Sequence, residues 1–152
     1  MPIEITTERP DSDDARALIE ELEGTLAALY PSESRHGYSV DKLIRQSVAF
    51  FVVRRDGEPA GCGGVQLFGR EYGELKRMYV RPDHRGTGLA KRMLEHLEAF
   101  TRGHGVGLLR LETGIHQKAA IALYEGAGFR RIRPFGEYKD DPLSRFYEKR
   151  ID

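Results

Sequence analysis

A mixed α/β fold with mostly antiparallel strand pairing is the class this sequence predicts, on three observations. Strand-like runs separated by tight-turn signals fill much of the first half, the pattern of an antiparallel meander. Residues 74–112 instead run strand, long amphipathic helix, strand, a crossover unit whose two strands lie parallel. No repeat, low-complexity tract or linker interrupts the 152 residues, so one domain spanning 1–152 is expected.

The elements follow in order. "IEITTE" alternates apolar and polar side chains, as an edge strand does. Asp11, Ser12 and Asp13 offer N-caps to a helix whose stripe is Ala15, Leu18, Ile19, Leu22 and Leu26. "YPSESRHGYS" breaks that helix, and Ser39 is placed to cap a short second one, "VDKLIRQ". "SVAFFVV" and "AGCGGVQLF" are strands joined by "RRDGEP", whose Asp56-Gly57 is a hairpin signal. A turn near Gly69 to Gly73 leads to the strand "ELKRMYV". Leu89, Ala90, Met93, Leu94, Leu97 and Phe100 form the next helical stripe, ended by Gly103 and Gly105. "VGLLRLE" reads as a buried strand and "QKAAIALYEGAG" as a helix with glycines suited to C-caps. "FRRI" and "SRFYEKRI" close the chain as strands.

Charge and composition narrow the function. Lys plus Arg equals Asp plus Glu at 24 each, so no global field draws the chain to nucleic acid or an anionic membrane. Phosphate binding therefore has to be local. Cys62 is the only cysteine, which excludes an internal disulfide and fits a reducing cytosol. No apolar run approaches the roughly 20 residues of a membrane span. "MPIEITTERP" lacks the basic-then-apolar order of a signal peptide, so a cytoplasmic location is expected. The five histidines lack metal-ligand spacing, and no metal is expected. Cys62, beside Gly61, Gly63 and Gly64, reads as a small buried residue, because no histidine stands in a motif that would activate it.

The stretch "VRPDHRGTGLAKRMLEHLE" carries more than a turn requires. A helix start leaves backbone N–H groups facing outward, and the helix dipole makes that end attractive to anions. Gly86 and Gly88 permit close approach to the backbone and positive φ. Arg85, Lys91 and Arg92 add cations, the arginines as rigid forks suited to phosphate. The bland alternative is an ordinary helix start with solvated basic residues. A P-loop is excluded, because Leu89-Ala90 stand where lysine and a hydroxyl residue are needed. A dinucleotide fingerprint needs glycine or alanine where Lys91 stands, and only one β-α-β unit is visible. It remains a secondary reading, with Glu112 as its downstream carboxylate.

In context, "ELKRMYVRPDHRGTGLAKRMLEHL" resembles the signature region of the GNAT superfamily of acyl-CoA-dependent N-acyltransferases. Arg85, Gly86, Thr87, Gly88, Leu89 and Ala90 match its cofactor motif, and "ALYEGAGFRRI" is similar to its second motif. The likeness runs from about Val48 to the end and points to a bacterial small-molecule subgroup. It implies a central twisted, mostly antiparallel sheet with a splayed parallel strand pair and about four helices. It further implies acetyl-CoA as cosubstrate, with its pyrophosphate at residues 85–90 and Lys91 nearby. The pantetheine arm would lie between "ELKRMYV" and "VGLLRLE", against the backbone of Met78, Tyr79 and Val80. Gln117 stands where many members carry an Asn near the cofactor. A homodimer built on C-terminal strands is a further implication.

Acetyl transfer to an amine needs a neutral nucleophile, a donor for the oxyanion and a proton for the departing thiolate. By the resemblance, backbone N–H groups near Met78 to Val80 supply the donor. Tyr124 is the candidate acid; the alternative is a core tyrosine, since "AAIALYE" groups it with Ala120 and Leu123. Glu74, acting through water, is the candidate base; the alternatives are an exposed carboxylate there and Glu112 as the base. Ser34, Arg35, His36 and Tyr38, together with Tyr138 and Ser144 from the tail, lie where family members build the acceptor pocket. Arg35 is either a partner for an acceptor carboxylate or a solvated loop residue. No acidic groove and no long peptide-binding insertion is evident, so a small, amino-acid-like primary amine is expected, attacked directly in a ternary complex. A non-catalytic acyl-CoA-binding module is the competing reading, and it needs neither Tyr124 nor an acceptor pocket.

Overall fold

Local signals set the element boundaries. Ser12 accepts from the Ala15 N–H at 3.1 Å and starts helix α1, Asp13–Leu29. Ser39 does the same for Lys42 at 3.1 Å and starts the short α2, Val40–Arg45. The computed structural model describes residues 2–152, in which strands β1 (Ile3–Thr7), β2 (Ala49–Arg55), β3 (Glu58–Phe68) and β4 (Tyr72–Val80) precede helix α3 (Leu89–Gly103). Strand β5 (Leu108–Gly114), helix α4 (Lys118–Gly126), β6 (Arg130–Ile132) and β7 (Ser144–Arg150) complete the order. Single 3-10 turns at Ser32–Ser34 and Pro82–His84, which the sequence pattern does not announce, bracket the site.

The strands form one seven-stranded sheet in the order β1-β2-β3-β4-β5-β7-β6. Asp56 and Gly57, with φ of 52° and 83°, make the tight β2–β3 turn that their dipeptide predicts. Every neighbouring pair is antiparallel except β4 and β5. That parallel pair is registered only at Gly73↔Leu109 and Glu74↔Arg110. Beyond it β5 continues its pairing with β7 as far as Gly114↔Ser144, while β4 continues against β3. The β4 edge facing β5 is therefore unpaired from Leu75 onward.

Both sheet faces are covered, which is why "AFFVV" is apolar without alternation. Phe51 and Val53 pack with Leu89, Met93, Leu94 and Leu97 of α3, while Phe50 and Val52 pack with Leu18 and Leu22 of α1 and Leu43 of α2. Each such side chain, fully buried, contributes roughly 1.5–3 kcal/mol.

A bulge in β4 decides which side chains reach the site. The β3–β4 register shifts between Cys62 and Gly64, and Arg77 takes a φ of 53°. Leu75 and Met78 consequently pack with the α3 cluster, whereas Tyr79 packs on the α1 face and Arg77 donates to the Tyr38 carbonyl at 2.9 Å.

Candidate active site

The glycine corner has the local geometry an anion needs. Gly86 and Gly88 have φ of 76° and 81°, and space around both is open. Gly88 is the N-cap of α3 and provides no side-chain cap. The first helical bond runs from the Arg92 N–H to the Gly88 carbonyl at 3.0 Å, so the N–H groups of residues 86–91 have no partner among the described residues. The Thr87 hydroxyl is turned inward to the His84 carbonyl at 2.6 Å. Arg85 donates from Nε to the Val80 carbonyl at 2.9 Å, tying the loop to the end of β4. Leu89 is 1% exposed and Ala90 is half-buried, so each has only its N–H to offer an anion, while Lys91 and Arg92 are exposed cations. Several free donors, a helix dipole and nearby cations fit a pyrophosphate.

Next to this corner, the parting of β4 and β5 opens a slot of about 90 Å³. Its walls are Leu75 to Met78, Leu111 to Gly114, the α4 residues Ala120 and Tyr124, Gln117, and the loop from Tyr30 through Gly37. Tyr79 turns its side chain away, its hydroxyl donating to Glu21 at 3.2 Å. Gln117 Oε1 accepts from the Gly114 N–H at 3.0 Å and shapes the turn into α4. Tyr30, which sequence reasoning missed, accepts from the His116 N–H at 2.9 Å and lies over Gly114. A Cβ at Gly114 would stand 2.0 Å from the Tyr30 hydroxyl, so no side chain fits there.

Tyr124 is packed as a core tyrosine and also has a face on the slot. It is buried against Phe129 at 5.6 Å between ring centroids, and it also walls the slot. Burial pushes its phenol pKa far above the usual value, with the Glu112 charge adding to the rise, so the hydroxyl stays protonated.

The two carboxylates differ. Glu74 is 3% exposed, which removes the alternative of an exposed carboxylate. Its Oε2 accepts from Lys76 Nζ at 2.8 Å and from the Tyr138 hydroxyl at 2.5 Å, and it is absent from the slot wall. The pleat explains this: positions 74 and 76 share the α1/α2 face. Lys76 lies 3.8 Å from the centre of the Tyr38 ring, and burial lowers its pKa against the opposing pull of Glu74. Glu112 does wall the slot. It accepts from the Ser144 hydroxyl at 2.8 Å, and burial raises its pKa, opposed by that hydrogen bond and by His36.

Ser34, Arg35 and His36 line the slot from the loop side, and Tyr138 stands beside His36, with rings edge-on at 5.7 Å. His36 Nε2 lies 3.4 Å from Asp141 Oδ2. A second, outer cavity of about 620 Å³ lies between residues 31–36 and 137–143 and shares Ser34 and His36 with the slot. Glu33, Glu137, Asp140 and Asp141 are on its wall, an acidic lining not evident in the sequence because its halves lie about a hundred positions apart. Of the other residues sequence reasoning missed, Lys76 was legible as the same-face neighbour of Glu74, whereas Asp141 carried no signal. Cys62 is buried, donates to the Arg77 carbonyl at 3.2 Å and has its pKa pushed up to about 12. Among the described residues, no cluster of His, Cys, Asp and Glu is placed to hold a metal, and no helix is long and apolar enough to cross a membrane.

Comparison with known proteins agrees with this geometry. The profile of the Acetyltransferase (GNAT) family matches residues 13–129. The chain is similar to an IAA acetyltransferase of Azospirillum brasilense, with 44% identity over 98% of this chain and 99% of the other. It is also similar to the uncharacterised N-acetyltransferase YsnE of Bacillus subtilis (strain 168), with 32% identity over 89% and 91%. A crystal structure from Klebsiella pneumoniae, provisionally assigned as an acyl-CoA N-acyltransferase, superposes with a TM-score of 0.85 at 38% identity over 99% and 98% of the two chains. The PaiA N-acetyltransferase of Thermoplasma acidophilum, crystallised with coenzyme A, shares the fold at a TM-score of 0.75 and 23% identity, over 99% of each chain. The chain belongs to the GNAT family and is an acyl-CoA N-acyltransferase with acetyl-CoA as its cosubstrate.

Proposed function

We propose that this acyltransferase acetylates the primary amine of a small molecule by direct attack in a ternary complex, in the cytoplasm. The observation that carries the proposal is the slot between β4 and β5, where a protonated tyrosine, Tyr124, and a half-buried carboxylate, Glu112, wall one space. Acetyl-CoA supplies the activated thioester. The N–H groups of residues 86–91 hold its diphosphate, and the unpaired edge of β4 at Met78 to Val80 orients the rest through backbone hydrogen bonds. Tyr124 gives its proton to the departing thiolate. Glu112, whose carboxylate burial makes more basic than an exposed one, takes a proton from the amine directly or through water. That assigns the base to the alternative carboxylate: Glu74, held by Lys76 and Tyr138, positions those two groups instead.

The acceptor side is formed by Ser34, Arg35, His36 and Tyr138, with Gln117 at the cofactor side of the slot. The Azospirillum relative, named for acetylation of IAA, favours a small molecule over a protein. Pairing of two copies along the short exposed edge at β6 belongs to the same proposal and is checked by light scattering. Incubation with acetyl-CoA and a panel of amines is expected to release free thiol in proportion to acetylated amine. Retention of acetyl-CoA binding without thiol release across the panel would replace the enzyme by a non-catalytic binding module.

A further inference from the structure

We propose that the acceptor is an amino acid, its carboxylate held by Arg35, its amine at Glu112 and its side chain in the outer cavity; this rests on the acetyl-transfer reading above. Four side chains able to carry positive charge wall the slot: Arg35, His36, Lys76 and Arg77. Three of them are already matched. Lys76 Nζ lies 2.8 Å from Glu74, Arg77 Nη1 3.1 Å from Glu23 and His36 Nε2 3.4 Å from Asp141. Arg35 forms no ion pair among the described residues, and its Nε is buried without a hydrogen-bond partner. Buried donors in folded chains nearly always have partners, so an unpartnered Nε on a half-buried arginine that walls a ligand cavity points to an acceptor group from the ligand for this guanidinium. Its planar fork of donors matches a carboxylate. The phosphates of acetyl-CoA are provided for by the free N–H groups of residues 86–91, which leaves the second substrate as the source of this anion.

Size and charge refine the class. At about 90 Å³ the slot has room for little more than a reacting head group, while the outer cavity of about 620 Å³ adjoins it at Ser34 and His36. An amine with its carboxylate on the adjacent carbon keeps both groups in the slot and sends its side chain outward. The outer wall carries Glu33, Glu137, Asp140 and Asp141 against Lys139 and His36, which attracts an incoming ammonium group and disfavours acidic side chains.

The test compares thiol release from acetyl-CoA with alanine, phenylalanine and lysine, with the amide of each, and with aspartate and glutamate. Each amino acid is expected to exceed its amide by at least about tenfold in kcat/KM, mainly through KM, because a site built for a charged group rejects the analogue lacking it. Aspartate and glutamate are expected to be the poorest acids. Arg35→Gln is expected to bring the acid-to-amide ratio toward one, and Arg35→Lys to restore part of it. Equal use of acids and amides, or a ratio unmoved by Arg35→Gln, overturns the inference while leaving acetyl transfer standing. Complete absence of thiol release overturns both. The ratio measured on the unaltered protein decides the matter even where a variant fails to fold.

Discussion

Tyr138 donates its hydroxyl hydrogen to Glu74 Oε2 at 2.5 Å, joining two positions 64 apart in the chain, and Lys76 Nζ reaches the same oxygen at 2.8 Å. This contact ties the tail that walls the outer cavity to the strand that walls the slot. It also leaves Glu74 Oε2 engaged by two donors. Burial and the neighbouring Glu74 charge drive the Tyr138 phenol pKa far upward, so the hydroxyl remains a donor at all working pH values.

Breaking that ion pair on one side should be far worse than removing both partners. Glu74→Gln leaves the Lys76 ammonium buried and uncompensated, and a loss of about 3–5 kcal/mol is expected by chemical denaturation. Adding Lys76→Met to Glu74→Gln should recover most of the loss. A double variant as unstable as the sum of the single ones would show that the two groups do not act as a pair.

Tyr124→Phe removes the proton donor and little else. Turnover is expected to fall about 10²-fold. The rise in Tm on adding acetyl-CoA should persist, because native-state binding does not depend on that hydroxyl. Unchanged turnover across pH would remove Tyr124 from the chemistry.

Glu112 should leave a signature in the pH profile. Its folded pKa is raised by burial, so the carboxylate is protonated, and unable to act as a base, at pH values where an exposed glutamate is ionised. An acid limb in kcat/KM is expected above the ordinary glutamate value of about 4.3, and Glu112→Gln should abolish it while lowering activity. The stability sign follows: relative to Glu112→Gln, the native protein is favoured below the unfolded-state pKa and loses that advantage as pH rises through the folded one. A limb that survives in Glu112→Gln would assign the base elsewhere.

Gly88→Ala puts a Cβ on a residue with φ of 81° at the mouth of α3. The strain should cost about 1–2 kcal/mol. With the diphosphate placed at residues 86–91 as proposed, KM for acetyl-CoA should rise more than KM for the amine. Steady-state kinetics with each substrate varied in turn checks this, and an effect confined to the amine would move the phosphate site.

Local features were legible in advance because they depend on near neighbours along the chain. The caps at Ser12 and Ser39, the Asp56-Gly57 turn, the α3 stripe and the free donors at Gly86 to Lys91 follow from residues a few positions apart. The burial of Glu74 was not legible, because what surrounds it, Lys76, Tyr138 and the aromatic side chains around them, is assembled from β4 and a tail some sixty positions away.

The amino-acid sequence alone determined the α/β class, the order of the elements, the free donors at the mouth of α3 and the family resemblance, all properties of periodicity and short motifs. Tertiary structure decided that Glu112 walls the slot while Glu74 does not, that Arg35 is left without an ion-pair partner, and that the 31–36 and 137–143 segments enclose an acidic cavity. The physical reason is the same in each case. A bulge at Arg77 and the divergence of β4 from β5 set which side chains share a space, and both arise from strand pairing over long sequence separations.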